Sequence, residues 1–144
     1  TSNCEVHPQD VYMWSEGKAI VGTGSPFEDV QYDGKQYRIG QGNNVFIFPG
    51  VGLAAILGKV NKITKEMFTQ ASHALAECVS EHDLADGAVF PRISELREIS
   101  CYVAIKILEK IVHGTSGHHL QKTDLQEYVK ACMWKSEYLP YKRV

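Results

Sequence analysis

Ala19-Ile20-Val21 is the feature that most restricts what this chain can fold into. Three consecutive apolar residues between Lys18 and Gly22 read as a strand buried on both faces, the kind found in parallel sheets. Such a strand needs hydrogen-bonded neighbours on either side, and the sequence encodes none of parallel type. The other strand signals lie at 29–39, where Val30, Tyr32, Tyr37 and Ile39 flank Asp33-Gly34, a dipeptide suited to a tight primed turn. One hairpin and one lone strand do not make a stable sheet. The chain is therefore expected to be a fragment of a larger protein. Its opening on Thr1 rather than Met adds the expectation of sequence upstream.

The remaining pattern is helical. Residues 8–16 form a short helix with Val11, Tyr12 and Trp14 as apolar surface and Gly17 as its stop. Residues 50–59 are rich in Ala and Leu. Met67, Ala71, Ala74, Leu75 and Cys78 recur at three- and four-residue spacing, which predicts a helix over 63–79 capped by Thr64. A loop with Asp86-Gly87 and Pro91 leads to a second long helix. There Ile99, Val103, Ile107 and Ile111 repeat every fourth residue beside Ala104 and Leu108. A polar linker over 114–119 precedes a last amphipathic helix over 124–135, carrying Leu125, Tyr128, Val129 and Cys132. The tail from Tyr138 is aromatic and basic, in keeping with a surface arm.

Bulk numbers exclude several function classes. With 144 residues, 44% of them hydrophobic, the chain can bury one core of ordinary size. Fifteen basic against seventeen acidic side chains leave a net charge of -2, no electrostatic ground for nucleic acid or an anionic membrane as partner. The longest apolar stretch, 45–57, is broken by Pro49, Gly50 and Gly52 and is too short for a membrane span. Cys4, Cys78, Cys101 and Cys132 are too far apart for a zinc knuckle or CxxC pair. The helical context of the last three favours buried, reduced thiols. The histidines show no HExxH spacing, and His118-His119 lies in the polar linker. Glu77 and Glu81 read as a solvated helix edge. Ser25 sits in Gly-Thr-Gly-Ser-Pro, not in a hydrolase elbow. No base, nucleophile or metal cage stands out.

Three glycine-containing segments remain. Gly50-Val51-Gly52-Leu53-Ala54-Ala55 fits the loose GxGxxA dinucleotide pattern after the apolar run 45–48. Pro49 at the turn, the absence of an acid at Gln70, Ala71 or Ser72, and the lack of a second strand favour tight helix packing instead. Gly22-Thr23-Gly24-Ser25-Pro26 is a loop that can approach a ligand closely. Gly40-Gln41-Gly42-Asn43-Asn44 brings two side-chain amides to the edge of an apolar segment. Amides suit a carboxylate, hydroxyl or carboxamide ligand; an ordinary polar turn accounts for the same residues.

Glu16-Gly17-Lys18, Gly22-Thr23-Gly24-Ser25-Pro26-Phe27 and the block Gly40-Gln41-Gly42-Asn43-Asn44-Val45-Phe46-Ile47-Phe48-Pro49-Gly50 resemble, in this order, the late coenzyme-domain segment of the malic enzyme family. Tyr128-Val129-Lys130 and Trp134-Lys135-Ser136-Glu137-Tyr138 resemble its carboxyl-terminal arm. The resemblance covers essentially the whole chain. It implies an α/β fold: the C-terminal part of a Rossmann-type NAD(P)-binding domain (1–43), a mostly helical return to the central catalytic domain (44–115) and a terminal arm (116–144).

The activity implied is oxidative decarboxylation of malate to pyruvate and CO2 with NAD or NADP and Mg or Mn. On the matched positions, Asn43 would contact malate, Asn44 the nicotinamide carboxamide, and Gly24 would lie close to the cofactor. Thr1 would close the family's last active-site strand. The catalytic tyrosine and lysine, the acidic metal ligands, the malate-binding arginine and the dinucleotide loop would all lie upstream. No catalytic or metal-ligating residue is then expected in this chain, and alone it is expected to be inactive. The resemblance also implies a homo-oligomer, dimer or tetramer, with Tyr138, Tyr141 and Arg143 at an interface, and residence in the cytoplasm or mitochondrial matrix. Two alternatives stay open: a malolactic enzyme converting malate to lactate, and a non-enzymatic helical assembly module.

Overall fold

The structure is a computed structural model describing residues 4–114 and 125–138. Thr1, His118, His119, Tyr141 and Arg143 lie outside the described residues. Helix α1, Pro8–Trp14, starts on a proline whose missing N–H costs nothing in a first turn. It stops where Gly17, at φ 74°, donates its N–H to the Tyr12 carbonyl at 2.9 Å. Strands β2 (Val30–Tyr32) and β3 (Lys35–Tyr37) form the expected antiparallel hairpin. Asp33 and Gly34 both take positive φ, 48° and 74°, as a primed turn requires. Tyr37 of the hairpin stacks on the buried Tyr12 ring, centroids 4.2 Å apart. Val21, Val30 and Ile39 complete this small core.

The strand expected at Ala19-Ile20-Val21 is displaced. Hydrogen-bonded pairing begins one residue later, in β1 (Gly22–Thr23), which lies parallel to β4 (Gly40–Gln41) with Gly22 opposite Gly40. The chain thus supplies one parallel neighbour, which the sequence reading denied. Two-residue pairing across glycines carries no hydrophobic pattern, so periodicity cannot reveal it. In the apolar run itself the extended chain alternates: Val21 is buried while Ile20 is 77% exposed.

The second and larger core is helical. Asn44–Phe46 make one 3-10 turn, then α2 runs Phe48–Leu57. Helix α3 spans Lys65–Glu77 behind Thr64, and α5 spans Leu96–Gly114. The predicted stripes meet here: Met67, Ala71 and Ala74 of α3, and Ile99, Val103, Ala104, Ile107 and Leu108 of α5, are buried together with Phe46, Val51 and Ala54. Helix α6, Leu125–Cys132, adds Leu125 and Val129 to the same core. All four cysteines are free, but only Cys101 is buried. Cys132 is exposed, because α6 ends on it with no further turn to dock. Burial pushes the Cys78 and Cys101 thiols up in pKa, so both stay protonated near neutrality.

A short helix was missed. Ser80 caps α4 (Glu81–Ala85), its Oγ accepting the Asp83 N–H at 3.0 Å. Glu77 and Glu81 therefore stand on different helices rather than one edge, and Glu77 instead accepts the Tyr102 hydroxyl at 2.6 Å. The architecture is mixed α/β, mostly helical with two small sheets. No helix among the described residues is long and apolar enough to cross a membrane.

Candidate functional site

The polar block singled out in the sequence forms the junction between the two cores. After β4, Gly42 donates its N–H to the Thr23 carbonyl at 2.7 Å, prolonging the parallel pairing by one residue. Asn43 follows in extended conformation and caps the 3-10 turn: its Oδ1 accepts the Val45 N–H at 3.0 Å. That bond commits the amide oxygen and fixes the side chain's direction. What Asn43 retains for a ligand is its NH2 group, two donors and no charge. Such a group suits a carboxylate or hydroxyl oxygen.

Asn43 and Asn44 share the wall of one cleft of about 370 Å³. Ile47 continues that wall, Ser72, Leu75 and Ala76 of α3 face it, and Val89 and Phe90 close the remaining side. The lining is mainly apolar with a few amides, the composition of a site that orients a small polar molecule rather than ionising it. The Ser72 hydroxyl donates to the Phe68 carbonyl at 2.9 Å, an ordinary back-bond within α3. Gly24 does not line this cleft. It sits exposed beyond β1, its carbonyl accepting Gln41 Nε2 at 3.1 Å, and a Cβ built on it would meet nothing within 4 Å. The fold thus joins two of the three expected site residues and leaves the third on a neighbouring strand end.

Phe90 was not visible as a site residue. Its ring lies against glycines of both parallel strands: a Cβ at Gly42 would stand 3.0 Å from Cζ, and one at Gly22 3.1 Å from Cε2. Gly40 is pressed just as closely, 3.1 Å from the Phe90 backbone nitrogen. A side chain at any of these three glycines would make Phe90 give way by a few tenths of an ångström.

Behind Phe90 stands the main charge cluster of the described chain. Arg38 donates to the Phe90 carbonyl, and its Nε lies 3.0 Å from Asp83 Oδ1. Among the described residues that Nε–H makes no well-directed hydrogen bond, so the contact acts as an ion pair. Arg92 reaches the same Asp83 oxygen at 2.6 Å. Burial pushes the Asp83 carboxyl up, but the Ser80 contact, the Arg92 hydrogen bond and the two guanidinium charges outweigh it, and the net shift is downward. A capping pattern, Ser80 followed three residues later by Asp83, was the one sequence signal here.

Elsewhere, larger open grooves run between helices, one of about 720 Å³ past Cys78, Cys101 and Tyr102 and one of about 810 Å³ past Met67 and Ile107. Among the described residues, no three His, Cys, Asp or Glu side chains are grouped to hold a metal ion.

Residues 1–112 match the family described as "Malic enzyme, NAD binding domain". The chain is 40% identical over 145 residues to the NAD-dependent malic enzyme of Aliivibrio fischeri, covering 99% of this chain and 25% of that protein. It is 38% identical to the NADP-dependent malic enzyme of Phaseolus vulgaris, with 99% of this chain and 24% of that protein aligned. With the mitochondrial NAD-dependent malic enzyme of Ascaris suum the identity is 37%, over 96% of this chain and 22% of that protein. The chain spans about a quarter of the length of these curated relatives.

Proposed function

This chain belongs to the malic enzyme family, and from that premise we propose that it serves NAD- or NADP-dependent oxidative decarboxylation of malate to pyruvate and CO2 as part of a longer protein. The observation that carries this reading is the placement of Asn43 and Asn44 side by side on one cleft. With its oxygen held by Val45, Asn43 offers its NH2 to a malate oxygen. Asn44, one residue on and exposed, orients the nicotinamide carboxamide. Gly24, with open space around its α-carbon, lets the cofactor approach the backbone. Neutral amides of this kind contribute by holding two reactants in register. NAD or NADP, when bound, supplies the hydride acceptor. No proton-transfer step is assigned to this chain.

Residues 1–43 then form the end of a Rossmann-type domain, 44–115 the helical return to a catalytic domain, and 116–144 the terminal arm. Two features support a larger surrounding. Ile20, two residues before β1, is 77% exposed. Helix α2 is apolar on every face, a composition proper to a fully enclosed helix, yet Phe48 and Ile56 are 65% and 74% exposed. The acidic ligands for Mg or Mn are placed upstream of this chain in this reading, as the family resemblance implies. A homo-oligomer, with the exposed Trp134 and Tyr138 region at an interface, and a cytoplasmic or mitochondrial-matrix setting complete the proposal.

Full-length protein carrying this chain should reduce NAD or NADP with malate, in the presence of Mn or Mg, and release pyruvate. Lactate without net cofactor reduction would replace this reading with the malolactic one. Absence of any malate turnover would overturn it.

A further inference from the structure

We infer that Phe90 is a positioning residue for Asn43, an inference that rests on the reading of Asn43 as a malate contact. Asn43 has two anchors: its own cap to Val45, and the backbone of Gly42 immediately before it. Gly42 is held from one side by the Thr23 carbonyl, and on the other the Phe90 ring stands so close that a Cβ there would meet Cζ at 3.0 Å. The same ring presses on Gly22 of β1, so one side chain fixes the separation between β1 and the segment leading to Asn43. The Phe90 backbone is in turn anchored, because its carbonyl is bound by Arg38, which pairs with the buried Asp83. Its ring also lines the cleft that Asn43 faces. A smaller side chain at position 90 removes the back wall of Gly42 and lets the amide of Asn43 swing off its ligand.

The test is a double-mutant cycle in the full-length protein, read as malate KM against kcat. Phe90→Leu should raise malate KM by about 5-fold to 10-fold, the range of one lost neutral hydrogen bond, with kcat nearly unchanged. On an Asn43→Ala background the same change should add nothing. Gly42→Ala, which forces the ring back from the other side, should raise KM as well, and adding Phe90→Leu to it should restore binding. A merely structural phenylalanine predicts instead that Phe90→Leu lowers kcat and stability together with binding and adds its full loss on the Asn43→Ala background. Should Phe90→Leu fail to fold, Phe90→Met with the Gly42→Ala pair serves the same cycle. Normal KM in the position-90 variants, or an equal rise with and without Asn43, overturns the inference while leaving the functional reading intact. Normal KM in Asn43→Ala alone overturns both.

Discussion

Arg38 Nε lies 3.0 Å from Asp83 Oδ1, and both side chains are close to fully buried, at 12% and 6% exposure. This pair ties the end of the hairpin to helix α4 across 45 residues of sequence. Arg92 shares the carboxylate, and Arg38 also holds the Phe90 carbonyl, so the cluster locks the floor of the Asn43 cleft to the strand that leads into it.

Removing that carboxylate's charge should therefore cost far more than losing a surface ion pair. Asp83→Asn leaves the Arg38 guanidinium buried without a counter-charge, and a loss of about 3 kcal/mol is expected. Urea unfolding of the full-length protein at pH 7 checks it; a loss under about 1 kcal/mol would mean that the pair behaves as if solvated.

The same carboxylate makes stability depend on acid. Its folded pKa lies below the unfolded value of about 3.9. A depressed pKa contributes stability in full above the unfolded value and loses it as pH falls through the folded one. Stability from this group should be level between pH 7 and 5 and decline below about pH 4. The Asp83→Asn variant should lack that component of the decline, which parallel unfolding curves at pH 5 and 3.5 would reveal.

Gly50 and Gly52 look equivalent in the sequence but are opposite in the fold. A Cβ on Gly50 would stand 2.6 Å from Val103 Cγ1 and 3.0 Å from the Ser100 carbonyl, whereas one on Gly52 meets nothing within 4 Å. Gly50→Ala should destabilise by about 3 kcal/mol, because backbone of α5 cannot step aside. Gly52→Ala should be neutral or stabilise by up to about 1 kcal/mol. Equal losses, measured by thermal unfolding, would mean that Gly52 is packed against a part of the protein beyond this chain.

The long helices declared themselves in the sequence because their stripes are redundant: Ile99, Val103 and Ile107 each repeat the same message, and all three are buried. The hairpin was equally plain, since Asp33-Gly34 supplies the positive φ its turn needs. Other features had no local signature. The pairing of Gly22 with Gly40 rests on backbone alone, and Phe90 belongs to the site only because the chain returns to it 48 residues after Gly42. Asn43 and Asn44 could be named as candidates from composition. Their shared cleft depends on α3 and on 89–90, which no spacing rule links to them.

Tyr12 offers a test of the smaller core. Its ring is fully buried and stacked on Tyr37, yet among the described residues its hydroxyl has no hydrogen-bond partner. Burial, and secondarily the neighbouring Tyr37, hold its pKa above the ordinary value, so the hydroxyl stays protonated throughout the working range. Tyr12→Phe should keep the stacking and relieve an unpaired buried polar group, stabilising by about 1 kcal/mol. A loss of that size in a denaturant titration would show that the hydroxyl has a partner in the complete protein.

Asn43 carries two duties that substitution can separate. Its oxygen caps the 3-10 turn, and its NH2 is what remains for a ligand. Asn43→Ala removes both and should cost about 1 kcal/mol of stability along with malate affinity. Asn43→Asp keeps an oxygen for the Val45 N–H, so unfolding should resemble the parent. The same variant has lost both donors and placed a negative charge where a dicarboxylate must bind. Malate KM should then rise by more than about 10-fold, beyond the rise in Asn43→Ala, because a repelling charge is worse than a gap. Stability profiles and malate KM measured on both variants decide the matter. If Asn43→Asp binds malate as well as the parent, the residue is a cap and nothing more.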